Sequence, residues 1–228
     1  MDYHHAVVDM MLGGKLHLTP LDFNKVKKVL DVGTGTGAWA IDFADAHPDV
    51  EVIGTDITPI QPTFVPPNLR FEIDDANLDW TFRDNTFDYI HIRFLVGCIA
   101  DWYKLFREAF RTLKPGGWLE THEPTLRWVG DRPIDPKSAT GQFHQIFWEA
   151  GKKFGRTFRV FEEEIQKKAM EAAGFVNIMV TDIRCPIGSW PEDPEKKELG
   201  TVTQVAFLGD LDACGLFTAM YFGSLMVC

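Results

Sequence analysis

The chain has 228 residues, of which 45% are apolar, and this is typical of one full-sized domain with a sizeable core. The formal net charge of −10 repels phosphate backbones and argues against direct binding of nucleic acid. The first residues include an acid and two histidines where a secretory signal would carry Lys or Arg, so we expect a cytoplasmic protein, with the nucleus as the alternative. The four cysteines are scattered without a C-x-x-C pair, so neither a disulfide framework nor a metal site is predicted.

Apolar blocks bounded by turn residues alternate with segments of helical period, and this pattern predicts a doubly wound, Rossmann-like α/β fold with a mainly parallel sheet. Helices are predicted at 38–47, 101–113 and 161–173, with one more around Phe143 and Phe147. Strands are predicted, in chain order, at 27–33, 51–57, 69–74, 87–92, 118–123 and 175–183.

The C-terminal stretch 205–228 is strongly apolar. Asp210 and Asp212 interrupt it, and the clean run that follows them is shorter than the ~20 residues that a spanning helix needs. We therefore expect a packed helix here and no membrane anchor.

A glycine-rich turn lies in the stretch VLDVGTGTGAWA, residues 29–40. Gly33, Gly35 and Gly37 follow a predicted strand and precede a predicted helix, where backbone N–H groups can approach a ligand at the positive end of the helix dipole. The spacing also satisfies the dinucleotide fingerprint, with Asp56 placed about 20 residues on as a ribose-binding acid. The turn thus predicts an adenosyl ligand and leaves three alternatives open: a dinucleotide, another adenosyl cofactor, or a tight turn alone.

Acidic residues at the ends of three successive strands bear on this choice. Asp31, two places before Gly33, would face the phosphates of a dinucleotide but could pair with the ammonium of a methionine moiety, which favours S-adenosylmethionine. Asp56 could accept hydrogen bonds from the ribose hydroxyls and Asp75 one from the adenine amine. Any single Asp at a strand end can instead serve as a turn former or helix cap.

Five motifs occur in a familiar order: VLDVGTGTG, VIGTDI, FEIDDA, FDYIHIRF and LKPGGWLE. Through them the chain resembles the class I S-adenosylmethionine-dependent methyltransferases over about residues 25–185. The blocks GGKLHLTPL, FDYIHIRFLVG and GGWLETHE look most like the fungal LaeA-like or UMTA-type members. The resemblance implies residues around the methionine, ribose and adenine parts of the cofactor and next to the methyl donor: Asp31, Gly33, Thr34, Gly35 and Gly37; Asp56 and Ile57; Asp75 and Ala76; and Arg93.

The resemblance also implies a domain organisation. Residues 1–24 would form a lid segment over the cofactor, and residues 25–228 the methyltransferase domain, with an inserted substrate segment at about 124–160. Folds of this family end in a helix and an antiparallel hairpin, and here only GSLMVC, residues 223–228, offers a last strand. An incomplete or atypical C-terminal hairpin is therefore expected.

Methyl transfer needs in-line placement of donor and acceptor, and a base if the acceptor is a hydroxyl or protonated amine. His91, His122 and Glu123 are the candidates. Trp128 is the better candidate for an apolar acceptor pocket, whereas helical spacing favours a core position for Phe143 and Phe147. Three functions stay open: transfer to a small, secondary metabolite; a LaeA-like regulator acting with a protein partner; and a fold relative that binds the cofactor without transferring its methyl group.

Overall fold

One all-parallel sheet of five strands organises the molecule. The computed structural model describes residues 2–130 and 132–222, and the side chains of that range through residue 209. The strand order is β3-β2-β1-β4-β5, with β1 Lys28–Val32, β2 Glu51–Asp56, β3 Leu69–Ile73, β4 Phe87–Arg93 and β5 Leu113–His122. The predicted α/β class is confirmed, and the first five predicted strands are present, with β5 starting at Leu113 instead of residue 118.

Helices cover both faces of this sheet, as a doubly wound fold requires. On one face Trp39 and Phe43 of the second helix pack over Val29 and Tyr89. On the other face, the helices at residues 102–112 and 165–173 bury their apolar stripes against Leu30, Ile90 and their neighbours. The helices are α1 Tyr3–Met11, α2 Ala38–Ala46, α3 Trp102–Thr112, α4 Ala139–Phe154, α5 Ile165–Ala173 and α6 Pro194–Phe222.

The strand order reverses at β1, which pairs with β2 on one side and with β4 on the other. Ligands of open α/β sheets bind at such a switch point, outside the carboxyl ends of the strands. The glycine-rich turn leaves β1 at this position. The topology therefore assigns the candidate site to the edge where β1, β2, β4 and β5 end.

The prediction of a sixth strand at 175–183 is wrong. This segment has no strand geometry, and Val176 and Met179 are each 78% exposed. Asn177 adopts a left-handed backbone conformation with φ of +56°, which breaks the extended path that a strand needs. The other candidate strand, GSLMVC, lies outside the described residues.

Two helix predictions also have clear outcomes. The helix predicted at 161–173 begins only at Ile165, because Glu164 before it is left-handed, with φ of +52°. The apolar C-terminal stretch is helical through Phe222, as expected, and α6 packs against α1 through Val7, Leu199 and Ala206. Among the described residues, every helix is too short or too polar to span a bilayer.

Candidate active site

The glycine-rich turn has the backbone conformation of a ligand cradle. Gly33 and Gly35 are left-handed, with φ of +69° and +56°. A Cβ on Gly33 would lie 2.4 Å from a methyl of Leu95, whereas a Cβ on Gly35 would meet no atom within 4 Å. The turn is therefore packed closely against Leu95 at Gly33 and opens into a large cleft at Gly35. This shape fits the close approach of an adenosyl cofactor to the backbone.

Asp31 lies beneath this turn and is only 3% exposed. Its Oδ2 accepts a 2.5 Å hydrogen bond from the Thr34 hydroxyl, and its Oδ1 lies 2.7 Å from His91 Nδ1. Both oxygens are thus engaged within the protein, although the residue still lines the cleft. A carboxylate has about four acceptor positions, so these two bonds leave it capacity for an ammonium group. The predicted role of Asp31 stays a prediction.

The two other acids are held in turns at their strand ends. Asp56 Oδ2 accepts the Gly35 N–H at 2.8 Å, and its Oδ1 accepts the Thr58 N–H at 2.9 Å. Asp75 Oδ1 accepts the backbone and side-chain N–H groups of Asn77, both at 2.9 Å. Asp56 therefore supports the glycine turn directly, while Asp75 shapes the loop after β3.

The structure brings only part of the predicted cofactor set to one cleft. Its lining includes Asp31, Gly33, Thr34, Gly35, Asp56 and Arg93. The others lie nearby but outside that lining: Gly37 caps α2 in a left-handed conformation, Ile57 is 66% exposed, Asp75 lies in its loop, and Ala76 packs against the core.

The first helix is fixed over the glycine turn by polar contacts that the sequence analysis missed. Asp2 accepts the His5 N–H as the N-cap of α1, and its other oxygen accepts the Thr36 hydroxyl at 2.5 Å. His5 Nε2 lies 2.8 Å from Asp42 Oδ2 on α2, and Arg93 Nη2 donates to His5 Nδ1 at 3.1 Å. An acid directly before an apolar-periodic segment was the available signal for this cap.

Of the candidate bases, His91 is the most buried, with 1% exposure. Its ring stacks on Trp39 at 3.8 Å, and its Nε2 has no hydrogen-bond partner among the described residues. Burial lowers the pKa of His91 to about 4, against the opposite effect of Asp31. His91 is therefore neutral near pH 7 and donates from Nδ1 to the Asp31 carboxylate.

His122 and Glu123 are adjacent at the end of β5 but point to opposite sides of the strand. Both residues line the cleft. His122 Nε2 lies 2.8 Å from Glu120 Oε1, and the His122 ring is 5.6 Å from that of His91. Glu123 accepts the backbone N–H groups of Leu95 at 2.9 Å and Val96 at 2.7 Å. Burial nevertheless raises the pKa of Glu123 to about 8.

Glu120 is the principal residue that the sequence analysis missed. It is 8% exposed and accepts hydrogen bonds from His122, Tyr89 and residues 18–19. The available signal was the period of two in WLETHE, which places Glu120 on the same strand face as His122. A charged residue predicted on a buried strand needs partners, and the neighbouring histidine was one.

The cleft has a volume of about 1760 Å³, and aromatic side chains line the part of it beyond β5. The Trp128 ring lies 5.7 Å from Phe143 and 5.1 Å from Phe207, and Phe147 lies 5.1 Å from Phe143. Phe143 and Phe147 are partly exposed to the cleft, so the core position favoured for them is wrong. In the described ranges no cluster of His, Cys, Asp and Glu could hold a metal ion.

Comparison with known proteins decides the family. A methyltransferase domain model matches residues 9–180. The chain belongs to this methyltransferase family. Methyltransferase pytC of Aspergillus terreus is 38% identical, over 99% of this chain and 68% of that protein. The secondary metabolism regulator LAE1 of Cochliobolus heterostrophus is 34% identical, over 93% of this chain and 70% of that protein.

Solved structures agree with this assignment of the methyltransferase fold. Phosphoethanolamine N-methyltransferase 2 of Haemonchus contortus, in complex with S-adenosyl-L-methionine, superposes with a TM-score of 0.53. It is 19% identical and covers 98% of this chain and 50% of that chain. The predicted membership of a methyltransferase family related to fungal LaeA-like proteins is confirmed.

Proposed function

We propose that this methyltransferase binds S-adenosylmethionine over the glycine turn and methylates a small, largely apolar acceptor held among the aromatic side chains of the same cleft. The observation that carries the proposal is the continuity of this cleft, which runs from Gly35 to Trp128 in a volume of about 1760 Å³. Sites for one small ligand usually measure about 300–1,000 Å³, so this cleft has room for two.

The proposed cofactor contacts are those that the resemblance to the family implies. Gly33, Thr34 and Gly35 would border the methionine end, with Asp31 beneath them as the negative charge for the ammonium. The N–H groups of Thr34 and Gly35 hold the turn itself, since they donate to the Thr55 carbonyl and to Asp56. Asp56 and Ile57 border the ribose, and Asp75 and Ala76 the adenine. Gly37 begins α2 behind the turn, and Arg93 lies beside the reacting end. Residues 1–24 would act as the lid, since Asp2 joins α1 to Thr36 of this turn and His5 joins it to Arg93.

When bound, the cofactor supplies an electrophilic methyl group on a sulfonium centre. The protein must then place the acceptor in line and take its proton. His122 is the best base of the three candidates, because its Nε2 is paired with Glu120 and its Nδ1 is left to accept a proton. His91 is buried, and Glu123, with a pKa of about 8, is mostly protonated at pH 7.

The acceptor chemistry is argued from the aromatic end of the cleft. Trp128, Phe143 and Phe207 form a continuous set of ring contacts on the segment after β5 and on α6. Such a surface favours a flat or polycyclic apolar molecule over a charged peptide. The inserted segment at about 124–160 supplies Trp128 and Phe143, which supports its predicted role in substrate binding.

A regulatory function with a protein partner is the second candidate. The observation that favours it is the 34% identity to the secondary metabolism regulator LAE1. Under this alternative the acceptor is a protein side chain, and the cleft would admit only its tip. The two candidates differ in the size of the labelled product.

Two measurements test the proposal. Calorimetric titration with S-adenosylmethionine, S-adenosylhomocysteine and NAD should give heat only with the first two, and heat with NAD alone would refute the cofactor assignment. Fungal extract incubated with methyl-labelled donor and the protein should yield a labelled small molecule by mass spectrometry. A labelled protein instead would establish the regulatory alternative.

A matched pair of variants tests the base in the same extract. His122→Gln should abolish labelling while retaining cofactor binding, because it removes the proton acceptor and leaves the glycine turn intact. His47→Gln makes the same change at a ring that stacks on Phe23, outside the cleft lining, and should label like the wild type. Equal labelling by both variants would exclude His122 as the base.

A further inference from the structure

Glu120 is the meeting point of three parts of the chain. From the N-terminal segment it receives the Leu18 N–H at 2.9 Å, the Thr19 N–H at 2.9 Å and the Thr19 hydroxyl. From β4 it receives the Tyr89 hydroxyl at 3.2 Å, and from its own strand His122 Nε2 at 2.8 Å. Three of the five donors therefore belong to residues 18–19, which are more than one hundred positions away in sequence.

The ionisation state of Glu120 determines what its partners must do. Burial opposes a negative charge here, but hydrogen bonds from His122, Thr19 and Leu18 outweigh it and hold the pKa of Glu120 well below its usual range. An ionised carboxylate only accepts hydrogen bonds. His122 must therefore carry a proton on Nε2, and in the neutral ring Nδ1 is then the acceptor.

Residues 16–19 are themselves anchored on the opposite side. Trp39 Nε1 donates to the Leu16 carbonyl at 2.7 Å, and His17 Nδ1 lies 2.7 Å from the Thr19 carbonyl. Leu18 and Thr19 also line the cleft. Residues 18–19, which line the cleft, and the carboxylate that contacts His122 are thus joined by direct hydrogen bonds.

We propose that Glu120 is a positioning residue, which makes the tautomer and orientation of His122 depend on the docking of residues 18–19 over the cleft. If this segment lifts, Glu120 loses three donors at once and its carboxylate turns to water. His122 then loses its partner and samples both tautomers, so the base is correctly set only when the cleft is covered. The inference rests on the proposed function insofar as His122 is the base, but the coupling itself does not require turnover.

Nitrogen NMR of the histidine side chains of the full chain tests the coupling without any substrate. In the wild type, the His122 spectrum should show one tautomer with Nε2 protonated. Glu120→Gln should give a mixture of tautomers. Thr19→Val, which removes one donor from the segment and is the milder change, should give a smaller shift in the same direction. Thr86→Val removes a hydroxyl that bonds the Arg83 carbonyl outside the cleft lining, and should leave His122 unchanged.

Turnover completes the test. Glu120→Gln should lower the rate of labelling in the fungal extract at least tenfold while changing the dissociation constant of S-adenosylmethionine less than about twofold, because the lost interaction acts on the base and not on the cofactor. An unchanged His122 tautomer in both Glu120→Gln and Thr19→Val overturns the proposal, and if Glu120→Gln does not fold, Thr19→Val decides alone. Full activity of His122→Gln would instead refute the base assignment, whatever the NMR result.

Discussion

The Oδ1 of Asp31 and the Nδ1 of His91 lie 2.7 Å apart between neighbouring strands, and both side chains are almost completely buried. Because burial lowers the pKa of His91 to about 4, the imidazole is neutral near pH 7. It fixes the orientation of the Asp31 carboxylate without placing a cation beside it. Of the two basic side chains that interact with Asp31, His91 and Arg93, only Arg93 therefore brings a positive charge.

Replacing Asp31 by Asn should therefore weaken S-adenosylmethionine binding at least tenfold. The change should leave the affinity for methylthioadenosine, which lacks the ammonium and carboxylate, within about twofold, because only the charge attraction is removed. Calorimetry with both ligands makes the comparison. Asp45→Asn, an equal charge change at an exposed position on α2, is the control. Equal weakening for both ligands would contradict the electrostatic role of Asp31.

His91 should make the protein sensitive to acid. Its pKa is lower in the folded state than the ordinary value of about 6.5, so the unfolded chain binds more protons between these two values. The contribution of His91 to the free energy of unfolding is fully present above pH 6.5. It falls towards pH 4, by up to about 1 kcal/mol per pH unit. Urea unfolding at pH 7, 6 and 5 measures the slope. His91→Asn keeps a donor for Asp31 and should flatten the dependence of the unfolding free energy on pH, while His144→Asn on α4 should leave it unchanged. Parallel slopes for the wild type and both variants would refute the assignment.

Gly35→Ala should impair ligand binding more than folding. Its backbone is left-handed, so an Ala costs about 1 kcal/mol in strain, but its Cβ would meet no protein atom within 4 Å and would project into the cradle. Gly116→Ala is the matched control, since it is also left-handed and open but lies outside the cleft lining. Thermal unfolding and calorimetry should give similar losses of stability and a loss of cofactor affinity for Gly35→Ala alone. Normal affinity in Gly35→Ala would place the ligand elsewhere.

Asp2 should control the release of the cofactor through α1. Asp2→Ala removes both the helix cap and the bond to Thr36, at a cost of about 1 kcal/mol to the helix. Hydrogen exchange of residues 3–11 should accelerate, and the cofactor should dissociate severalfold faster in stopped-flow measurements. Thr36→Val also breaks the bond between Thr36 and Asp2 but keeps the helix cap. It should therefore speed dissociation of the cofactor without accelerating hydrogen exchange in α1. Unchanged dissociation in both variants would show that α1 is no lid.

The central part of the fold could be predicted from the sequence because local patterns and packing agree there. The strands 28–32, 51–56 and 87–93 are buried runs between turn residues, and the glycine turn follows the first of them. The segment 175–183 has the same apolar composition, but strand formation also requires a partner and an extended backbone, and Asn177 breaks the second condition. Composition alone does not report either requirement.

The candidate site was less predictable, because its polar contacts join distant parts of the chain. Asp31 and Asp56 could be found from their spacing to the glycines, but the bonds of Asp31 to His91 and of Glu120 to residues 18–19 depend on tertiary structure. The spacing of residues in the sequence also does not report how exposed each side chain is. The spacing of residues could not distinguish the almost fully buried His91 from the more exposed His122, nor place Phe143 at the cleft wall.

The alternation along β5 has a consequence for sequence variation. Glu120 and His122 share one side of the strand, while Thr121 and Glu123 occupy the other. Deleting a single residue just before Glu120 would exchange these sides, sending the histidine towards α5 and the carboxyl group of Glu123 into its place, whereas inserting one would bring Thr121 there. Natural variants should therefore tolerate length changes after residue 124, where the chain leaves the sheet, and none within the strand.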